Sequence, residues 1–209
     1  MTVREIRPFG RRRSEVLTDE GLRFVLYDSE IVEFQLAEDE EIPPQTLQLI
    51  LTELLPKRAK MRAMNMLKER DYTQERLKSK LADGGYPPAV VDEALTYVLS
   101  YHYVDDARYA NEYIRCHMER YSRARIRGEL QKRGIDARLA DEAMERLYAD
   151  ETLAPVDPEI LQIRKWIDKK HFHAADATWE ERQRFLASMV RRGFSPDKVK
   201  TEINMAIND

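Results

Sequence analysis

Apolar positions follow two different periods along the chain. Near the N-terminus, Leu22, Phe24 and Leu26 alternate with Arg23, Val25 and Tyr27, the period of a half-buried strand. Shorter runs at 3–6 and 14–18 precede it, and Asp19-Glu20-Gly21 is a hairpin turn signal. A three-stranded antiparallel meander is predicted over residues 1–28. Such a sheet needs a helix on its apolar face, so docking against the following helices is expected. Ser29 is expected to cap a short helix carrying Ile31, Val32 and Leu36. Pro43-Pro44 opens another helix, with Leu47, Ile50, Leu51, Leu54 and Leu55 at helical spacing. Pro56 is expected to break or kink it.

From about residue 57 the period is helical, and the pattern recurs. Leu77 and Leu81 precede Gly85-Tyr86, then Val91 and Leu95. Ile126 and Leu130 precede Gly134-Ile135, then Ala140 and Met144. Phe185 and Met189 precede Gly193-Phe194, then Val199 and Ile203. The glycines are 49 and 59 residues apart, a spacing that marks an array of supersecondary units. Thr73, Ser122 and Thr178 are the N-caps of the middle helices, and Thr178 with Glu181 has capping-box spacing. Gly85, Gly134 and Gly193 are placed to end those helices in the left-handed conformation, the next residue packing back. Pro88, Asp136 and Ser195-Pro196 start the third helices; the first helices are expected at 58–70, 106–120 and 159–171. Pro155 and Pro158 mark a linker. The predicted fold is mainly α, an elongated and curved tandem array of three three-helix repeats. A small β-meander with short helices precedes it. The expected boundaries are 1–56, 57–105, 106–150 and 151–209.

Composition narrows the chemistry. The 209 residues are 35% charged and 43% hydrophobic, with a formal net charge of −3. A lone cysteine, Cys116, cannot close an internal disulfide and points to a reducing, cytoplasmic setting. No run nears the ~18 apolar residues of a membrane span, and the basic Met1–Ser14 stretch lacks the apolar core of a secretory signal. No phosphate-cradling glycine loop, C-x-x-C, H-E-x-x-H or G-x-S-x-G occurs. A binding protein without cofactor is therefore expected. His171, His173 and Asp176 form the only metal-like cluster and lack a fourth ligand, so no metal is expected. Cys116 is expected to be buried, and Trp166 and Trp179 to fill the core of the third repeat. Asp105 and Asp106 suit a helix start, where carboxylates accept backbone N–H bonds.

Charge is unevenly distributed. Residues 28–42 carry seven acids and no Lys or Arg. Residues 57–80 carry nine bases against three acids, and 113–135 seven against two. These basic stretches fall in the first and middle helices of their repeats. They nominate Arg62, Lys68, Arg76, Lys80, Arg115, Arg120, Arg123, Arg125, Arg127, Lys132 and Arg133 as a stripe for phosphates or an acidic protein groove. A solvated face laced with ion pairs is the competing reading. Arg123 and Arg127 share a helical face, whereas Arg125 is displaced from both by roughly 200°. Tyr72 and Tyr121, just before two caps, either staple the helix or offer rings to a base; packing is favoured.

The Tyr103-Val104-Asp105-Asp106-x-x-Tyr109-Ala110 junction, the Arg125-Ile126-Arg127-Gly128-Glu129-Leu130-x-x-x-Gly134-Ile135 segment and the tandem array together resemble the RecX family. Residues 57–205 carry the helical resemblance, and the β-meander resembles the extension of longer members. Two departures are the divergent third unit and the heavy acidic block at 28–42. The resemblance implies that Tyr103, Asp105, Asp106, Tyr109 and the three turn glycines form a structural family motif. It implies a non-enzymatic, mainly negative regulator of the RecA recombinase. Such a protein lies in the groove of the RecA–single-stranded DNA filament or caps it, reducing ATP hydrolysis, strand exchange and co-protease activity. The expected partners are the RecA filament and single- or double-stranded DNA, with no membrane, and the expected state is a monomer. The alternative is a stand-alone helical-repeat module that binds DNA through its basic stripe.

Overall fold

The structure, a computed structural model, describes residues 1–150, 152, 153 and 155–208. The expected start of the third repeat, at 151, lies outside the described residues. Two compact units are present, Met1–Asp105 and Asp106–Asp209.

In the first unit, β1 (Val3–Pro8), β2 (Arg13–Thr18) and β3 (Arg23–Tyr27) form an antiparallel sheet in sequential order. Gly21, at φ +82°, closes the second hairpin, and the Thr18 hydroxyl accepts from the Leu22 amide at 3.1 Å. Both outer edges are covered, which removes the templates for pairing with other chains. At β1, the Val3 amide donates to the Glu40 carbonyl (2.9 Å) and the Ile6 amide to the Glu38 carboxylate (2.8 Å). Part of the acidic block thus serves as an edge cover. At β3, the Val25 amide donates to the Gly85 carbonyl at 3.1 Å.

That last contact corrects the reading of β3 as half-buried. Val16, Phe24 and Leu26 face the core as expected, but Val25 on the opposite face is only 5% exposed. Alternation cannot reveal this, because the cover comes from a turn 60 residues away.

Helix α1 (Asp28–Glu33) is capped differently from expectation. The Glu30 carboxylate reaches back to the Tyr27 amide at 2.8 Å, so Tyr27 rather than Ser29 occupies the cap. Leu36 lies beyond the helix but is buried. Helix α2 (Pro44–Leu49) runs through a π-helical segment, Ile50–Leu54, into α3 (Leu55–Glu69). Pro56 sits in the first turn of α3 and has no N–H to give. The ladder there slips to the wider spacing, the Leu55 amide bonding the Ile50 carbonyl. The proline therefore accompanies a local widening and does not end the helix.

Helices α4 (Gln74–Ala82) and α5 (Pro88–Ser100) complete the first repeat. Leu55, Ala59, Leu77, Leu81, Val91 and Leu95 share one core with Val16, Phe24 and Leu26 of the sheet. The second repeat is α6 (Asp106–His117), α7 (Arg123–Gln131) and α8 (Ala137–Tyr148). The third is α9 (Pro158–Lys169), α10 (Trp179–Val190) and α11 (Pro196–Asn208). The hydroxyls of Thr73, Ser122 and Thr178 accept from Arg76, Arg125 and Glu181 amides at 3.2–3.4 Å, as the cap residues predict. Gly85, Gly134 and Gly193 have φ of +83°, +81° and +86°, and Tyr86, Ile135 and Phe194 behind them are buried.

Three side chains depart from expectation. Cys116 is exposed. Ile114 and Met118 take the inward positions of that turn, and residue 116 lies between them on the far side. Trp179, at the very start of α10, is 71% exposed. Trp166 is only partly buried, its ring lying beneath Lys169 and Arg192.

Candidate functional site

The basic helices of the first repeat present their cations in several states. Lys68 lies in the last turn of α3 and Arg76 in the first turn of α4; both are exposed, with no ion pair among the described residues. Lys80 pairs with Asp83 at 3.8 Å, a surface contact worth little. Lys60 and Lys78 are held by Glu93 and Asp92 of α5. Arg62 is half-buried beneath the sheet.

The second repeat is organised by a column of rings along α6. Tyr109, Tyr113, His117 and Tyr121 succeed one another at every fourth residue, with centroids 6.5, 4.0 and 5.4 Å apart and near-parallel planes. The His117 Nδ1 is 2.7 Å from the Tyr113 carbonyl, which assigns the proton to that nitrogen. The Arg133 guanidinium lies 4.6 Å from the Tyr113 ring and that of Arg125 3.9 Å from Tyr121, distances at which cation and ring attract. The column fastens α6 to α7, so Tyr109 of the junction motif has a packing role. Tyr121 likewise packs while carrying an arginine. Tyr72 mirrors it, its hydroxyl accepting from Arg70 at 2.9 Å.

Cations of α7 are mostly answered by acids of the same unit. Arg127 makes a two-pronged bond to Asp141 of α8 at 2.6 and 2.8 Å. Arg133 and Lys132 converge on Glu129 at 2.7 and 3.1 Å. Those two hydrogen bonds, Arg133 first, hold the Glu129 carboxyl down to about 2. Arg115 pairs with Glu112 at 3.2 Å. Arg123 turns instead toward the third repeat. It meets Asp157 at 3.2 Å and covers the Tyr148 ring at 4.0 Å. Lys198 of α11 binds the same Asp157 at 2.6 Å and the buried Glu159 at 2.8 Å. Gln162 donates to the carbonyls of Met118 and Tyr121 at 2.9 and 3.1 Å. Repeats two and three are thus joined by a polar network, and Arg123 belongs to it. Arg123 and Arg127, although one turn apart, reach different elements.

Arg120 and Arg125 are exposed and have no ion pair among the described residues. Arg125 sits in the first turn of α7, which contains no acid. A helix start favours negative charge, so arginine there works against helix stability while suiting an incoming anion. Together with Lys68 and Arg76, these are the exposed cations of the nominated set that no acid among the described residues answers.

Other nominated positions have local roles. Asp106 is the first residue of α6, with Asp105 just before it. Tyr103 is exposed and stacks on Tyr101, centroids 5.7 Å apart, with Tyr97 beyond at 5.0 Å. His171, His173 and Asp176 line one hollow with Phe172 and Phe185. Among the described residues no group of three His, Cys, Asp or Glu side chains is placed to hold a metal. No helix among them is long and apolar enough to cross a membrane. The ring column has a sequence signal, the four-residue spacing of its aromatics; the link from Arg123 to Asp157 spans repeats and has no local signal.

Residues 59–97 match the family described as RecX, first three-helix domain, and residues 105–144 match RecX, second three-helix domain. A protein named regulatory protein RecX from Vibrio parahaemolyticus is 30% identical over 156 residues, covering 72% of this chain and 93% of that one. Its namesake from Vibrio vulnificus is 31% identical over 143 residues, 66% of this chain and 86% of the relative. One from Caldanaerobacter subterraneus is 26% identical over 171 residues, 81% of each chain. The fold is shared with a crystal structure of a regulatory protein RecX (TM-score 0.62, 19% identity, covering 98% of this chain and 100% of the other). It is also shared with RecX from Lactobacillus salivarius (TM-score 0.61, 22% identity, 73% and 96%).

Proposed function

The chain belongs to the RecX family of regulatory proteins, and from that premise we propose that it restrains the RecA recombinase by occupying the groove of the RecA–single-stranded DNA filament or capping its end. It does so as a monomer in the cytoplasm, without catalysis. The supporting observation is the set of exposed cations that internal acids leave unanswered: Lys68, Arg76 and Arg125 on first and middle helices of the two matched domains, and Arg120 in the turn between α6 and α7. A filament of nucleic acid and protein offers the anions such cations attract.

The test is ATP hydrolysis by RecA on single-stranded DNA, titrated with this protein. Loss of hydrolysis well below one copy per RecA is expected if ends are capped, and loss near saturation if the groove is filled. Unchanged hydrolysis at equal stoichiometry overturns the reading. Exchanging the four cations for glutamine is expected to weaken inhibition about tenfold or more; Lys68, Arg76 and Arg120 each shift stability by under about 0.5 kcal/mol, and Arg125 adds the loss of its contact with the Tyr121 ring, about 0.5–1 kcal/mol.

A second reading, direct DNA binding, is favoured by Arg125 in the acid-free first turn of α7. It predicts single-strand affinity falling with salt by about 0.7 logarithmic units per neutralised phosphate for each tenfold rise in salt. Salt-independent affinity rejects it.

A further inference from the structure

We propose that the hollow between the β-sheet and α3 is a binding site for the phosphate group of a nucleotide, gripped by the guanidinium groups of Arg13, Arg58 and Arg62. The hollow has a volume of about 360 Å³, within the range of small-ligand sites. It exists because the sheet docks: Arg13 comes from β2, Arg58 and Arg62 from α3, and Tyr86 from the turn that touches β3.

The three guanidiniums differ in how far they are satisfied. Arg58 is fixed, paired with Glu30 and lying 4.6 Å from the Tyr27 ring. Arg13 lies loosely over Phe9, 5.5 Å from its centroid. Arg62 is the unmet one. Its Nε is shielded from solvent and has no hydrogen-bond partner, while its guanidinium packs close to Gly84. A buried N–H without an acceptor is costly, and a guanidinium fork is shaped for the paired oxygens of a phosphate or carboxylate. All three arginines favour the ionised form of the Tyr86 phenol, although burial outweighs them and raises it. Their fields therefore converge at that phenol.

Charge and shape select the ligand. Glu30 answers Arg58, and Glu69 is the acid that lines the hollow, so three cations against two acids leave one positive charge for a singly charged anion. A phosphodiester carries one negative charge, and a phosphate monoester at least one. The remaining walls are Val25, Met61 and Met66 with the Tyr27 ring, an apolar surface beside the cationic one. An anion attached to a flat, weakly polar body fits such a surface; a bare inorganic anion leaves it unused. The Asn65 side chain adds a neutral donor and acceptor. The proposal does not depend on RecA regulation, because every residue in it belongs to the first unit and none of the four exposed cations takes part.

Calorimetric titration of the full-length protein tests it, with thymidine monophosphate and a short oligothymidylate as probes. Arg62→Gln and Arg13→Gln are each expected to weaken binding about tenfold or more, the weight of one charge-assisted hydrogen bond. Arg62→Lys, which keeps the charge and loses the fork, is expected to fall between, and Lys165→Gln in the other unit to change nothing. Binding of the mononucleotide, lost in these variants, assigns the site to free nucleotides. Binding of the oligonucleotide alone, lost in the same variants, assigns it to a strand. Arg13 lies on the sheet rim, so its variant carries the test if Arg62→Gln fails to fold. No binding of either probe, binding unchanged in the variants, or equal displacement by oligoglutamate overturns the proposal.

Discussion

Gly85→Ala is expected to lower stability by about 2–5 kcal/mol, the largest effect of any glycine substitution in the first unit. Two costs combine. The residue sits at φ +83°, where a Cβ is disfavoured by about 1 kcal/mol or slightly more. A Cβ there also falls 2.1 Å from Val25 Cγ2 and 2.8 Å from Val25 Cβ, inside any permitted contact. Val25 cannot withdraw, since its amide bonds the Gly85 carbonyl and its strand is paired to β2. Gly21→Ala supplies the control: φ is +82° and nothing lies within 4 Å, so only the backbone cost remains, about 1 kcal/mol. Gly193→Ala falls between, with the capping Ser122 hydroxyl at 2.7 Å and Ala124 Cβ at 3.2 Å. Denaturant unfolding of the three variants checks the order. If Gly85→Ala loses no more than Gly21→Ala, the sheet yields freely and its docking is weak.

The comparison also shows which features a sequence carries locally. A left-handed glycine, a Thr or Ser cap and an apolar residue one step beyond the turn act within a few residues, and all three repeats display them. Burial of Val25, pairing of Arg127 with Asp141 and the passage of Arg123 to Asp157 depend on elements that meet only in three dimensions. The exposure of Cys116 and Trp179 had a local signal, since Ile114 and Met118 already occupy the inward face and Trp179 directly follows the Thr178 cap. Residue type outweighed position in predicting both as buried. The basic clusters were legible as charge counts, but a count does not distinguish Arg133, spent on Glu129, from Arg125, which no acid of the described residues meets. The cation in the hollow under the sheet was legible as Arg62 alone; Arg13 joins it only through docking.

Lys198→Met is expected to cost about 3–5 kcal/mol at neutral pH, because it strips the cation from a carboxylate that water barely reaches. Glu159 is 2% exposed, and its Oε2 accepts from Lys198 Nζ at 2.8 Å. Asp157 keeps Arg123 and the Glu159 amide, at 3.2 and 2.9 Å, so it is the better protected of the two. In the native protein, burial pushes the Asp157 carboxyl up, but its bonds to Lys198 and the Glu159 amide outweigh this and leave it below its usual value. A depressed carboxyl contributes stability that is present above its unfolded pKa of about 3.9 and disappears as pH falls through the folded value. Without Lys198, the Asp157 carboxyl loses the strongest of the bonds that hold it down. The penalty is therefore expected to be greatest near pH about 7 and to shrink as pH falls below about 3.9, where the native Asp157 takes up its proton and gives up its bond to Lys198. Urea unfolding of both proteins near pH about 7 and about 3 measures it, and an equal penalty at both means that the charge of the Asp157–Lys198 pair contributes no stability. The double variant Lys198→Met, Glu159→Gln is expected to recover much of the loss at neutral pH, since a neutral amide removes the stranded charge. That recovery separates the cost of an unpaired carboxylate from the loss of lysine packing, and it identifies α9 and α11 of repeat three as held together by charge as well as by their apolar core.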